Sequence, residues 1–428
     1  MTSTEIPLND RFPALAAHVA SVQARLPDPA LADLYARCFT NTLDTTVQLL
    51  PDGDPFVITG DIPAMWLRDS TAQVWPYAPH APRDPALAAL LAGLVRRQLA
   101  CIRRDPYANA FNAGPSGAGH RGDQPAFSPW VWERKFEIDS LCYPVRLSHA
   151  LWRGGADLAA LGGDLGPALH DIVRVFRTEQ QHATSPYTFV RPDAPVPSDT
   201  LSHAGRGEPV GVTGLIWAGF RPSDDACRYG YHIPGNMFAV VTLGQLAELA
   251  QALGESALAA EALGLRAEVD AALRRWGVVQ HPDFGEVWAY EVDGLGGQLL
   301  MDDANVPSLL AAPYLGYCTP DDPLYQNTRR LVLSAANPYF AQGRFARGVG
   351  SPHTPAGHVW PIGISMQGLT APDPAERRAL VRVLADTTGG TGWMHESFDP
   401  DAPSTYTRAW FAWANSLFAE LIERSLED

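Results

Sequence analysis

Charge is scarce in this chain of 428 residues: Asp, Glu, Lys and Arg make up 18% of it, against about 25% in an ordinary soluble domain. With 46% of positions hydrophobic, that shortage implies a large interior and excludes disorder and coiled coil. Positive charge is scarcer still. The 32 basic residues face 47 acidic ones, for a net charge of -15. No basic cluster offsets this, so a nucleic-acid partner is excluded. Lys135 is the only lysine, which argues against Schiff-base and P-loop chemistry. The five cysteines (Cys38, Cys101, Cys142, Cys227 and Cys318) are dispersed and never form a CxxC pair, so neither a disulfide framework nor a zinc knuckle is expected. The opening MTSTEIPLNDRFPALAAHV has no basic leader ahead of an apolar core. No apolar run approaches the roughly 20 residues of a membrane span. A soluble cytoplasmic enzyme with no membrane partner is the expectation.

What is present is helical periodicity. Apolar positions recur at 3.6-residue spacing over about 11–24, 29–48, 70–78, 84–103, 137–153, 164–182, 232–253, 255–276, 305–316, 322–336, 358–371, 374–388 and 406–425. Glycine and proline, 37 of each, fall mostly in the connections. One stretch, FGEVWAYEVDGLGGQLLMDD, reads as a β-hairpin turning at Asp293-Gly294. An alternating βαβ pattern is absent, which disfavours Rossmann and TIM-barrel folds. About twelve helices without a linker predict an all-α (α/α)6 barrel, with residues 1–428 forming a single domain. Two separate helical domains are the alternative.

The polar residues out of keeping with their neighbours lie between the helices. TGDIPAMWLRDSTAQVWPY (59–77), GFRPSDDACRYGYHIPGNMF (219–238), LLMDDANVP (299–307) and GWMHESFDP (392–400) mix carboxylates with aromatics, glycine and proline. Aromatic faces stack on the C–H faces of sugars, and Asp, Arg and His bond hydroxyls. Glycoside hydrolysis needs two carboxyl groups, one protonated and one ionised. Asp61, Asp69, Asp224, Asp225, Asp302, Asp303, Glu396 and Asp399 are candidates, and composition does not choose among them.

ITGDIPAMWLRDSTAQVWPY, GFRPSDDACRYGYHIPGNMF and WMHESF together resemble glycoside hydrolase family 125, the metal-independent exo-α-1,6-mannosidases, from about residue 10 to the C-terminus. The resemblance implies an (α/α)6 barrel, an inverting mechanism and release of terminal α-1,6-linked mannose from a mannose-containing oligosaccharide such as an N-glycan fragment. It also implies a general acid in the Asp224-Asp225 doublet and a general base at Glu396. Analogy with other (α/α)6 glycosidases prefers Asp224, with Asp225 as the alternative acid. Like charge alongside raises a carboxyl pKa, which suits the acid role. An inverting pair sits about 6.5–9.5 Å apart, leaving room for a water. Asp224 and Glu396 are 172 positions apart, so only a ring-like fold unites them.

The remaining candidates carry a structural reading beside the functional one. Trp66, Arg68 and Asp69 are expected to recognise mannose, although Arg68-Asp69 also suits an ion pair and Asp61 a turn. Arg221 and His395 belong to the matching strings and join the expected binding set. Asp302 and Asp303 either contact ligand or cap a helix starting near Asn305; His232 and Asn236 either line the site or cap one near Ile233. His353 and His358, in a Gly/Pro-rich loop, either line a sugar pocket or are ordinary loop residues. Arg134, Glu137 and Asp139, after the Trp130 and Trp132 aromatics, either form a rim on the leaving-group side or merely start a helix, and receive no assignment. No HExxH or calcium-loop pattern occurs, so neither metal nor cofactor is expected. A sugar epimerase on the same barrel, using His353 and His358, is the rival reading; a non-catalytic mannan-binding module is a third.

Overall fold

The computed structural model describes residues 8–427. After two N-terminal helices (Leu8–Arg11 and Pro13–Arg25), twelve helices alternate between an outer and an inner ring. The outer six are α1 (Pro29–Thr45), α3 (Pro85–Arg104), α5 (Leu165–Glu179), α7 (Ser256–Ala272), α9 (Pro323–Val332) and α11 (Pro374–Asp386). The inner six are α2 (Leu67–Val74), α4 (Ile138–Arg153), α6 (Ile233–Ala252), α8 (Ala312–Leu315), α10 (Pro361–Leu369) and α12 (Ala412–Ser425).

Local sequence explains both sets. Four outer helices open on Asp-Pro: Asp28, Asp84, Asp322 and Asp373 each accept a backbone N–H of the first turn. The proline that follows occupies the position where a missing N–H costs nothing. The inner helices α6 and α10 are apolar nearly all round, the signature of a helix with no solvent face, whereas α2 buries a largely polar sequence that the site uses. Every residue of α2 is buried, as are nearly all of α10 and the first eight residues of α12.

Around the inner ring α2 packs on α4, α4 on α6, α6 on α8, α10 on α12, and α12 back on α2. Between α8 and α10 the buried run Met301–Ala312 fills the gap, tied across by Ala304 N–H to Gly350 O at 3.0 Å. Outer helices lie against this ring, α1 on α12, α3 on α4, α7 on α6 and α11 on α10. The result is the (α/α)6 barrel expected from the periodicity, around a hydrophobic core running from Phe12 to Ile422. Connections leaving inner helices, such as 253–255 and 370–373, are short. Those entering them (46–66, 105–137, 180–232, 273–311, 333–360 and 387–411) are long, so the elaborate loops gather where the inner helices begin.

Several expected elements move, each for a local reason. The helix expected at 70–78 starts at Leu67 and tightens into a 3-10 helix over Trp75–Arg83, where Pro76, Pro79 and Pro82 remove every third N–H. Of 305–316 only Ala312–Leu315 is helical. Pro307 disfavours an earlier start, and the Asp302 carboxylate takes the Leu309 and Leu310 N–H groups. The single hairpin resolves into two. Glu291–Val292 pairs with Gln298–Leu299 around Asp293-Gly294, whereas Gly285–Trp288 pairs back with Val278–His281. The last helix starts at Ala412, because Ala402–Tyr406 forms a strand against Phe398–Asp399. One correction concerns length: α3 is long and apolar enough by composition to cross a membrane. In the barrel, Leu87, Leu91, Leu94, Val95 and Leu99 on one side of it are buried in the core.

Candidate active site

The long loops place charged side chains at the starts of the inner helices. Trp66 ends a strand paired with Ala110–Phe111, and α2 begins at the next residue, so Arg68 and Asp69 lie in its first turn. The same pairing sets Asn109 beside them, its carbonyl taking the Leu67 N–H at 3.0 Å. Glu137 immediately precedes α4 and Asp139 sits in its first turn.

Asp224 sits on a tight turn. Its N–H donates to Arg221 O at 2.9 Å, and the Arg221 N–H to Asp225 O at 2.8 Å. Its φ of +66° is a left-handed conformation that costs a residue with a Cβ about 1–3 kcal/mol. The surroundings hold it there. Lys135 Nζ donates to the Asp224 carbonyl at 2.7 Å. Arg221 is clamped on Glu291 at 2.5 Å, and Glu291 also accepts the Arg228 and Tyr229 N–H groups.

This turn separates the doublet. Asp224 Oδ1 accepts from Trp66 Nε1 (3.3 Å), Arg68 Nη2 (3.2 Å) and Asn109 Nδ2 (3.1 Å). Its side chain is 22% exposed and faces a cavity that Glu396 also lines, with Asp69, Asn305, His353 and Arg408 and the rings of Trp360, Phe411 and Trp413. Asp225 is instead held by Ser223 Oγ at 3.0 Å and His353 Nδ1 at 3.6 Å. Glu396 arrives on the loop before α12, anchored by Met394 N–H to Asn415 Oδ1 and Ser397 N–H to Thr407 Oγ1. Its ion pair, among the described residues, is with Arg408 Nε at 3.5 Å.

The electrostatics are uneven. Burial pushes the Asp69 carboxyl up to about 6 and that of Asp139 to about 7, with Arg68 opposing the rise and the Asp224 charge adding to it. Burial also disfavours charge on Asp224. There Arg68, a hydrogen bond with Glu137, Lys135 and His353 outweigh it and hold the carboxyl well below the usual range. Burial would likewise lower His353, but its bond to Asp225 and the charges of Asp225, Asp224 and Glu396 raise it to about 9. His353 is therefore an imidazolium at neutral pH.

Of the sequence candidates, Trp66, Arg68, Asp69, Asp224, His353 and Glu396 meet at the cavity. Asp61 sits at the rim, 62% exposed and 3.6 Å from Arg408. The others support the site from outside its lining. Arg221 and Asp225 shape the Asp224 turn. His232 Nδ1 accepts the Gly235 N–H at the start of α6, and Asn236 bonds Ile216 N–H and C=O. Asp302 holds two backbone N–H groups, and Asp303 grips Asn305 and Ser351. His358 bonds Ser397 Oγ. His395 stacks on Tyr406 with both ring nitrogens against the carbonyls of Arg408 and Thr388. Residues the sequence reading left aside sit close in: Asn109, Lys135, Glu137, Asp139, Asn305, Trp360, Arg408, Phe411 and Trp413. A sole lysine beside an acidic loop, and the aromatics Trp360 and Trp410-Phe411 before helix starts, were the available signals.

Comparison with known proteins decides the family. The family model for metal-independent α-mannosidases, GH125, matches residues 28–423. The chain belongs to that family. This α-mannosidase is 46% identical to a Streptococcus pneumoniae metal-independent α-mannosidase whose structure holds α-1,6-mannobiose as a non-productive complex. The two superpose with a TM-score of 0.95 over 97% of this chain and 99% of that one. It is also 42% identical to the meiotically up-regulated gene 157 protein of Schizosaccharomyces pombe, over 96% of this chain and 85% of that protein. A bacterial glucoamylase bound to acarbose shares the fold, with a TM-score of 0.59 at 14% identity over 92% of this chain and 55% of that one. The GH125 membership makes the chain a glycoside hydrolase, which sets the epimerase and binding-module readings aside.

Proposed function

We propose that this α-mannosidase removes terminal α-1,6-linked mannose from the non-reducing end of its substrate with inversion. Asp224 acts as general acid and Glu396 as general base. The observation that carries this reading is that carboxylates from two distant loops line one cavity in opposite environments. Asp224 is set among three N–H donors, and Glu396 keeps oxygens free for a water. α-1,6-Mannobiose in the S. pneumoniae relative supports the linkage. Trp66, Arg68, Asp69 and His353, with Asn305 and Arg408, bind the mannose hydroxyls, while Trp360, Phe411 and Trp413 pack on its apolar face. Asp224 protonates the leaving oxygen as the bond to C1 breaks. Glu396 takes a proton from the water that bonds C1 from the opposite face.

We further propose that residues 1–428 work as one catalytic domain, that the natural substrate is an N-glycan fragment, and that the enzyme acts in the cytoplasm. Five free thiols among the described residues, four of them buried, suit a reducing compartment. The deciding experiment is turnover of α-1,6-mannobiose beside its α-1,2 and α-1,3 isomers, with and without EDTA. Selective, EDTA-insensitive release of mannose from the α-1,6 isomer is expected; equal turnover of all three would remove the linkage assignment.

A further inference from the structure

Four carboxylates converge on the single guanidinium of Arg68: Asp69 at 3.8 Å, Glu137 at 3.2 Å, Asp139 at 3.7 Å and Asp224 at 3.2 Å. The nearest other cations act on these four carboxylates only from beyond ion-pair distance, their own ion pairs lying elsewhere. Lys135 pairs with Asp199 and Glu133, His353 with Asp225, and Arg408 with Glu396 and Asp61. Four negative charges against one positive charge cannot persist in a buried cluster, so it must hold protons. Asp224 Oδ1, facing three N–H donors, is stabilised as the anion. Glu137 is fully buried; it accepts from Arg68, Asn109 and Ser140, and the same Asn109 Nδ2 and Arg68 guanidinium also bond Asp224 Oδ1. Two carboxyl groups drawn together on the same two donors repel unless one of them carries a proton.

We propose that Glu137 and Asp224 share one proton as a dyad, held by Glu137 in the resting enzyme and passed to Asp224 to arm it as general acid. The proposal rests on the reading of Asp224 as the acid. Burial drives the Glu137 carboxyl well above the usual range, with the neighbouring Asp224 and Asp139 charges adding to the rise and Arg68 opposing it, which agrees with the resting arrangement. In the armed state the new charge on Glu137 disfavours ionisation of Asp224, so the proton stays until the leaving oxygen takes it. The balance closes with one water consumed. The C1–O bond breaks and that oxygen gains the dyad's proton; the water oxygen bonds C1 and its proton goes to Glu396. Glu396 then releases a proton to solvent while the dyad regains one. Glu137 is thus a positioning residue acting through Asp224.

Glu137→Gln tests this, because its amide donates permanently to Asp224 and supplies neither proton nor charge. Turnover of α-1,6-mannobiose at neutral pH is expected to fall at least ~10²-fold, the low end for general acid catalysis. An aryl mannoside with an activated leaving group, which needs little protonation, should lose less than ~10-fold, with KM for both held within ~3-fold. Equal losses on the two substrates, or retained mannobiose turnover, would overturn the dyad. If Glu137→Gln does not fold, Glu137→Asp withdraws the carboxyl and must show the same split. Asp224→Asn, measured alongside, separates the two readings. If it keeps mannobiose turnover, the assignment of Asp224 fails; if it shows the leaving-group split and Glu137→Gln does not, only the dyad fails.

Discussion

Arg408 Nε lies 3.5 Å from Glu396 Oε1, close enough to orient the carboxylate and too long to occupy it. Glu396 accordingly retains lone pairs for a water molecule. Replacing it by Gln preserves shape and removes the proton acceptor. The Glu396→Gln enzyme should bind mannobiose with affinity close to that of the parent, measured calorimetrically, while kcat falls at least ~10²-fold. Near-normal turnover in the folded variant would end its assignment as base.

The Asp224 turn makes a second prediction, on the choice within the doublet. Asp224→Asn should lose far more activity on α-1,6-mannobiose than on an activated aryl mannoside. Asp225→Asn, whose side chain lies behind the cavity and holds the lining residues Ser223 and His353, should weaken both substrates to a similar and smaller degree. The reverse pattern would transfer the acid role to Asp225.

Stereochemistry offers an independent check. A base that activates water about 6.5–9.5 Å from the acid forces attack opposite the leaving group, so the first product from an α-mannoside is β-mannose. Proton NMR in the first minutes, before mutarotation, reads this directly. An initial α-mannose signal would require a nucleophile about 5–5.5 Å from the acid.

His353 carries the pH prediction. Its pKa of about 9 in the folded protein exceeds the roughly 6.5 of an unfolded histidine. The Asp225–His353 pair therefore contributes its full stability below about pH 6.5 and loses it as pH rises through 9. Nitrogen-detected NMR should place its titration near pH 9, and the thermal midpoint of His353→Gln should fall less steeply than the parent's between pH 7 and 10. A titration near 6.5 would refute the ion pair.

The ring was legible because its signals are local. Asp-Pro openings at Asp28, Asp84, Asp322 and Asp373 mark outer helices, and the all-apolar run around Met237 and Phe238 marks an inner one. Asp224, Glu396, Trp66 and Arg68 were legible through long motifs. Glu137 and Asp139 were not, since their meaning depends on Arg68, which is 69 positions away and reaches them only when α2 packs against α4. His232 takes the capping reading that the sequence offered beside the functional one. Asn236 and His395 bond backbone groups of Ile216, Thr388 and Arg408, which no single motif reveals. The break at 305–316 follows from the Asp302 carboxylate claiming N–H groups several residues ahead.

The crowding of long loops at one end of the barrel has a further consequence, for traffic. Beneath the cavity the inner ring is packed solid with side chains such as Val74, Val145, Met237, Ile364 and Leu417. Among the described residues that packing closes the far side, so a released sugar leaves by the mouth through which the next chain end arrives. Free mannose and incoming glycan therefore compete for one doorway. Distributive trimming, with singly shortened glycan accumulating first, and slower turnover in added free mannose are the expected outcomes in a time course.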